Sequence, residues 1–303
     1  VTPPSEPVLF RLPGREGSDL ECGPGRPAVM GILNLTPDSF SDGGLHRDPC
    51  AVVEHAEGME SEGADILDLG AESTRPGALA VPVEEERSRL LPVLEALRPR
   101  TRLPLSIDTR RAEVARDALA LGADWINDVS ALADPPMASV IAESKACIVL
   151  MHMQGEPSTM QDSPGYEDPV AEVKAFLERR MAFAVDSGIE ESRILLDPGI
   201  GFGKRVEDNT ALLRRLEELA ALGRPILLGL SRKSLLGHWI EKNGGSDEGP
   251  GSRDPATAAA VALSQSRGVS VHRVHEVRYA RQALAVHAGL SGRPAAGRKV
   301  SGS

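Results

Sequence analysis

Aromatic side chains are scarce in this 303-residue chain: two Trp, two Tyr and five Phe make up 3% of it. Its hydrophobic content of 41% must therefore build a core from Leu, Ile, Val and Ala. Cysteine is nearly absent as well. Cys22, Cys50 and Cys147 stand far apart with no paired spacing. That excludes a disulfide framework or a zinc motif and fits a reducing compartment. Positive charge is in deficit, with 34 Lys and Arg against 44 Asp and Glu and a net charge of −10. A nucleic-acid surface needs clustered Lys and Arg and is disfavoured, whereas a small anionic ligand needs only a few local cations. No apolar run approaches the roughly 20 residues of a membrane helix. The Pro-rich start has no basic segment leading into an apolar run, so it does not read as a signal peptide. The expectation is a soluble, cytoplasmic protein.

Proline and glycine, sparse in the middle of most runs, crowd the start. Residues 1–27 contain Pro3, Pro4, Pro7, Pro13, Pro24 and Pro27 among several glycines. They read as a loose N-terminal extension, with at most a short edge strand at Val8-Leu9-Phe10. Residues 291–303 read as a disordered tail. Between them, over 28–290, one unit recurs: a short apolar run ending in a polar residue, a loop, then an amphipathic helical stretch often stopped by Gly. The apolar runs are Ala28–Leu33, Asp65–Leu69, Leu103–Ile107, Asp124–Ile126, Ala146–Met151, Arg193–Leu196, Pro225–Leu230 and Val269–Val274. The helical stretches include Cys50–Glu62, Glu84–Leu97, Ala112–Leu121, Met137–Glu143, Pro169–Ser187, Glu207–Leu222, Pro255–Ser266 and Glu276–His287. Eight such units predict an α/β fold, a single-domain (β/α)8 TIM barrel of the usual length of about 250 residues. An open doubly wound sheet is the alternative, weakened because no G-x-G-x-x-G follows the first run. The segment Gly244–Gly251 reads as a floppy insertion after the seventh strand.

Polar residues close the apolar runs. Asn34 ends the first, and Pro37 and Gly43-Gly44 then require a loop, which carries Phe40 and Asp42 in the manner of a lid. Glu72-Ser73-Thr74-Arg75-Pro76-Gly77 follows the second run, Asp108-Thr109 closes the third and Asn127-Asp128 the fourth. His152 closes the fifth and Asp197 the sixth. Ser231-Arg232-Lys233 follows the seventh, and Arg273 with His275 closes the eighth. In a barrel all of these meet at the mouth formed by the strand C-termini. Singly, Asp108, Thr109 or Asp197 reads equally well as a cap; eight together do not. Arg75, Arg273 and His275, with Asn34 and Thr74, suit a phosphate-type anion. Asn34 suits one corner of a Mg²⁺ that keeps most of its waters. Asp108, Asn127 and Asp197 suit a flat heterocycle rich in N–H donors, and Lys233 a ring carbonyl or nitrogen. His152, between two methionines, reads as structural, and no Ser/His/Asp or Cys/His set stands out.

These motifs resemble, in order, those of the dihydropteroate synthase family. Asn34–Gly44 is similar to the family's first signature loop and Glu72–Gly77 to its second. Ser106–Thr109, Ile126–Val129, Met151–Met153, Asp197–Lys204, Ser231–Ser234 and Arg273–His275 follow in the family's sequence, over about Ala28 to Gly289. The family's fold is a (β/α)8 barrel. The resemblance implies that 6-hydroxymethyl-7,8-dihydropterin diphosphate is joined to p-aminobenzoate, giving 7,8-dihydropteroate and diphosphate in folate biosynthesis. By position, Asp108, Asn127, Asp197 and Lys233 would hold the pterin, with Val129, Met153 and Phe202 lining its slot. Asn34, Thr74, Arg75, Arg273 and His275 would take the diphosphate, with Mg²⁺ at Asn34. Phe40, Thr74, Pro76, Lys233 and Ser234 would shape the p-aminobenzoate site, where sulfonamides compete. Asp42 would act as the first loop closes, so that Asp108, Asp42, Lys233 and Arg75 are the expected catalytic set. Family members tend to be homodimers.

Two readings compete. A corrinoid-linked methyltetrahydrofolate methyltransferase would share the pterin slot but lack the Pro37–Phe40 loop, the Ser-Arg-Lys run and the Arg-Val-His ending. A catalytically inert pterin-binding paralogue would have lost loop residues first, yet Asn34, Asp42, Arg75, Lys233, Arg273 and His275 all stand. Departures from the family pattern are Arg110-Arg111, expected on a helix surface, and Ser234-Leu235-Leu236, which replaces a bulkier pattern beside the amine pocket.

Overall fold

Each interior strand alternates its apolar side chains between two buried faces, and that alternation closes the sheet on itself. The computed structural model describes residues 8–14, 19–36, 49–73, 77–78 and 80–292. The chain runs β1 (Phe10–Leu12), β2 (Leu20–Cys22), β3 (Ala28–Asn34), α1 (Pro49–Ser61), β4 (Ile66–Gly70), α2 (Val83–Leu97), β5 (Leu105–Asp108), α3 (Ala112–Ala120), β6 (Trp125–Asp128), α4 (Met137–Glu143) and β7 (Cys147–Met151). It continues with α5 (Pro169–Asp186), β8 (Ile194–Asp197), α6 (Val206–Arg214), α7 (Leu216–Ala220), β9 (Ile226–Gly229), α8 (Ser234–Lys242), α9 (Asp254–Gln265), β10 (Val269–Val274) and α10 (Val277–Leu290). Strands β3 to β10 form a closed barrel in the order β10-β3-β4-β5-β6-β7-β8-β9, all neighbours parallel. The expected (β/α)8 architecture is therefore present.

Outward side chains such as Leu67, Leu69, Ile107, Ile126, Ile148 and Leu196 pack under helix residues such as Leu90, Leu94, Val114 and Leu177. Inward ones, including Met30, Ile66, Trp125, Cys147, Val149, Leu195 and Leu227, form a second cluster at the strand N-terminal halves. With both faces covered, the strands read as continuous apolar runs rather than as alternating ones.

Three expectations change. The extension before residue 28 is not uniformly loose: β1 and β2 pair as an antiparallel hairpin. Leu12 and Cys22 on it are fully buried against the inner cluster, so the hairpin closes the lower end of the barrel. The 244–251 segment is tied rather than floppy, because Asp247 accepts from Arg253 Nε at 2.8 Å and packs on Gly237, where a side chain would collide with it. The single helix expected over 207–222 is two, broken at Arg215, whose guanidinium reaches Glu218 at 2.6 Å and Asp168 at 3.1 Å.

Candidate active site

Register alone brings the predicted residues together. Asn34 lies opposite Gly70, Gly70 opposite Asp108, and Asp108 opposite Asn127, so three polar groups and one glycine form a continuous level across β3, β4, β5 and β6. Met151 pairs with Asp197 on the far side, and Arg273 lies opposite both Met30 and Gly229. All are at or near strand C-termini, the end where barrels of this kind build their sites. Gly70 has a steric role: a Cβ there would stand 3.4 Å from that of Asp108, crowding the carboxylate.

Arg273 is held by two carboxylates. Its Nε donates to Asp68 Oδ2 at 2.6 Å and its Nη2 to Asp108 Oδ2 at 2.9 Å. The guanidinium thus bridges Asp108 and the fully buried Asp68. Burial pushes the Asp108 carboxyl up to about 7, and Arg273 only partly offsets this because Asp68, Glu86 and Glu72 act in the same direction as burial. Asp68 is fully buried, and the sequence reading missed it by attending to strand ends. Its signal was present: an acid in the middle of Ile66-Leu67-Asp68-Leu69 needs a partner inside the barrel. Asp68 Oδ1, Ser106 Oγ and Asn127 Oδ1 are buried without a protein partner among the described residues. They sit on three consecutive strands as a polar floor able to bond a ligand or water.

Across the mouth, Asp197 Oδ1 accepts from Gly199 N at 2.7 Å, so it does cap the following turn while its other oxygen remains available. Burial raises its carboxyl, against the pull of Lys233, the Gly199 N–H, Lys204 and Arg273. Lys233 Nζ donates to the Ile200 carbonyl and lies 4.7 Å from the Phe202 ring centroid. Burial pushes this ammonium down to about 8, with Asp197 opposing and Arg273 assisting. Val129 is buried, and Met153 and Phe202 are half-buried. Ser234 is exposed at the first position of α8.

A second group sits where β3, β10 and the loop after β9 meet. Asn34 Nδ2 stands 3.4 Å from His275 Nε2, and Ser231 Oγ meets His275 Nδ1 at 2.9 Å and the His275 N–H at 3.1 Å. Arg232 between Ser231 and Lys233 has φ 60°, a conformation costing about 1–3 kcal/mol for a non-glycine residue. Its bidentate pair with Asp254, at 2.8 Å for both bonds, and a 2.9 Å bond to Glu276 hold it there. Ser231 and Lys233 thereby turn toward the mouth while Arg232 turns away. Phe40, Asp42, Thr74, Arg75 and Pro76 lie outside the described residues.

Arg110 and Arg111 are not on a helix surface, as expected, but in an ion-pair network. Arg111 pairs with the fully buried Glu86 and with Glu72 at 3.2 Å, and Thr109 donates to Glu86 at 2.7 Å. Arg110 pairs with Glu156 at 2.7 Å and Glu72 at 3.5 Å. His152 is structural, as read: its Nδ1 faces Lys204 Nζ at 2.9 Å, and burial and that ammonium push it down to about 3.

Comparison with known proteins agrees with this geometry. A family model described as pterin binding enzyme matches residues 30–275. Dihydropteroate synthase of Escherichia coli (strain K12) is 42% identical over 271 residues, covering 89% of this chain and 93% of that protein. The solved structure of Xanthomonas albilineans dihydropteroate synthase with 4-aminobenzoic acid has a TM-score of 0.86 at 46% identity, covering 95% of this chain and 100% of that one. The same enzyme in complex with 7,8-dihydropteroate gives 0.81 at 44% identity, with 94% and 100% covered. A Yersinia pestis dihydropteroate synthase with a sulfonamide drug gives 0.87 at 39% identity, with 93% and 100% covered. With these matches covering 89–95% of this chain and 93–100% of the relatives, and Asp108, Asn127, Asp197 and Lys233 gathered on one rim, this chain belongs to the dihydropteroate synthase family of pterin-binding transferases.

Proposed function

We propose that the barrel mouth joins 6-hydroxymethyl-7,8-dihydropterin diphosphate to p-aminobenzoate, releasing diphosphate. The observation that carries this is the convergence of Asp108, Asn127 and Asp197 with Lys233 above a polar floor at one end of the barrel. Carboxylates and an amide accept the ring's N–H groups, and Lys233 serves the ring carbonyl or a ring nitrogen. Phe202, Val129 and Met153 close on its flat faces.

The displacement is dissociative: the C–O bond to the leaving diphosphate breaks first, and the aromatic amine then attacks the exocyclic carbon. The electron-rich ring delocalises the cation, and ionised Asp108 stabilises it electrostatically. Arg273 is held by Asp68 and Asp108 at the boundary between the ring and the Asn34–His275 group. From there its charge reaches the leaving oxygens as negative charge builds on them. By the family resemblance, Thr74 and Arg75 of the second loop would complete that diphosphate site. By the same resemblance, Phe40, Thr74, Pro76, Lys233 and Ser234 would shape the p-aminobenzoate site, which sulfonamides would also occupy, and Asp42 would act as the first loop closes.

The donor set near Asn34 fits a Mg²⁺ carried mainly by substrate. Among the described residues no cluster of three His, Cys, Asp or Glu side chains could cage a metal, and one carboxamide oxygen is what a diphosphate-bound, largely hydrated Mg²⁺ requires. When bound, it would neutralise the departing diphosphate. The proposed assembly is a homodimer and the proposed compartment the cytoplasm. The three cysteines are free, and among the described residues no helix is long and apolar enough to cross a membrane.

Incorporation of radiolabelled p-aminobenzoate by the purified protein tests the reading. Product should form with Mg²⁺ and fall at least tenfold with a chelator. Pterin binding without product would select the inert paralogue instead.

A further inference from the structure

Lys204 is 3% exposed, and neither the pterin-transfer reading nor the mechanism above uses it. Its three N–H donors are shared among four acceptors: His152 Nδ1 at 2.9 Å, the His152 carbonyl at 3.2 Å, and the carbonyls of Gly199 and Phe202 at 2.9 and 3.0 Å. These acceptors span the end of β7 and the turn that follows β8. Outside this ammonium the turn is braced by Asn209, which accepts from Gly201 N at 2.7 Å, and by Tyr166 Oη on the Gly203 carbonyl at 2.8 Å. The turn approaches its neighbour too closely for side chains. Gly199 and Gly203 have φ of 64° and 59°, and a Cβ at either would strike the carbonyl of His152 or of Gln154. Three carbonyls and an imidazole nitrogen thus converge in a buried space, and a compact cation reconciles them.

We infer that Lys204 is a positioning residue for the pterin site, its buried ammonium folding the 198–203 turn into the wall that presents the Ile200 carbonyl and the Phe202 ring to Lys233. The inference rests on the pterin-transfer reading and adds to it a group that touches no substrate. The wall's two contacts to Lys233 both come from the turn that Lys204 closes. The same ammonium also acts on Asp197. That carboxylate is faced by Lys233 from the loop after β9, by Arg273 from β10, by the Gly199 N–H and by Lys204. Lys204 is pushed down to about 7 by burial, so below that pH it is charged and helps keep Asp197 ionised.

The test is calorimetric binding of 6-hydroxymethylpterin to the full chain, wild type against Lys204→Met, from pH 5 to 8, with thermal midpoints recorded alongside. The variant should bind at least about tenfold more weakly at pH 7. Its acid-side loss of binding should also move to higher pH, because Asp197 has lost one of the cations holding its proton off. A lower thermal midpoint with unchanged affinity and an unmoved acid limb would overturn the inference, leaving Lys204 a purely structural residue. If Lys204→Met does not fold, Lys204→Gln is read in its place. It keeps two N–H donors without the charge, so it should still bind more weakly than wild type and show the shifted acid limb; wild-type behaviour on both counts overturns the inference. Failure of the wild-type protein itself to bind pterin would instead refute the functional reading on which this rests.

Discussion

Asp108 is placed under two opposed demands. The proposed chemistry needs its negative charge beside the ring, while burial pushes its carboxyl up to about 7. A raised carboxyl is protonated below that value and ionised above it. kcat/KM for the pterin diphosphate should therefore rise as pH increases through about 7, and an initial-rate pH profile checks this. The same shift bears on stability with the opposite sign. Between the ordinary carboxylate range and about 7 the folded state holds a proton that the unfolded chain has released, so this group's contribution to stability declines as pH rises across that window. Asp108→Asn should lower kcat by about 100-fold, the scale of one lost electrostatic contact in a transition state. Near wild-type turnover would remove the electrostatic part of the mechanism. Arg273→Ala should weaken affinity for the diphosphate substrate and slow turnover, and it leaves Asp68 and Asp108 buried side by side without their shared cation. Asp68→Asn frees Arg273 from its 2.6 Å partner and should lower kcat/KM for the pterin substrate without changing the fold. Steady-state kinetics on both variants distinguish a guanidinium that must be held from one that merely sits there.

Elements enter this site through the connections that hold their ends. The loop after β5 is fastened to α2 by Arg111 and Thr109 on Glu86, and to the loop after β4 by Arg111 and Arg110 on Glu72. The loop after β7 joins them through Glu156 on Arg110 and through Gly77 N, which donates to the Pro157 carbonyl at 3.0 Å. Removing one partner of a buried pair leaves an uncompensated charge, so Glu86→Ala should cost about 3–5 kcal/mol in urea unfolding. At the opposite end of the barrel, Leu12 is fully buried on the hairpin beneath Trp125 and Cys147. Leu12→Ala should cost about 2–5 kcal/mol with kinetics of the folded fraction unchanged. A neutral result would mean that the hairpin rests on the barrel without supporting it.

At the scale of the whole molecule, α9 and α10 lie side by side and carry the exposed apolar side chains Leu263, Val286 and Leu290. Between them runs an apolar groove lined by Ala258, Ala259, Ala262 and Ala283 with Tyr279. If the proposed homodimer uses this face, Ala259→Glu should convert a dimer to a monomer by light scattering while leaving the barrel folded. A mass that does not change would place the contact elsewhere.

Sequence determined the barrel and most of its mouth, and it did so for a local reason. Eight apolar runs, each ended by a polar residue and followed by a helical period, are patterns of neighbours along the chain, and strand C-termini in a closed barrel have only one place to meet. Asp108, Asn127, Asp197, Lys233 and Asn34 were legible because they close such runs. What the tertiary structure alone decided is who faces whom across strands distant in sequence. Arg273, expected at the diphosphate, also bridges Asp68 and Asp108; Arg110 and Arg111, expected on a helix surface, are ion-paired with Glu72 and Glu86. Gly199 and Gly203 make room for a turn folded around a buried ammonium. Charge pairing in a desolvated interior depends on distances between residues up to about two hundred positions apart, and no period or spacing along the chain encodes those distances.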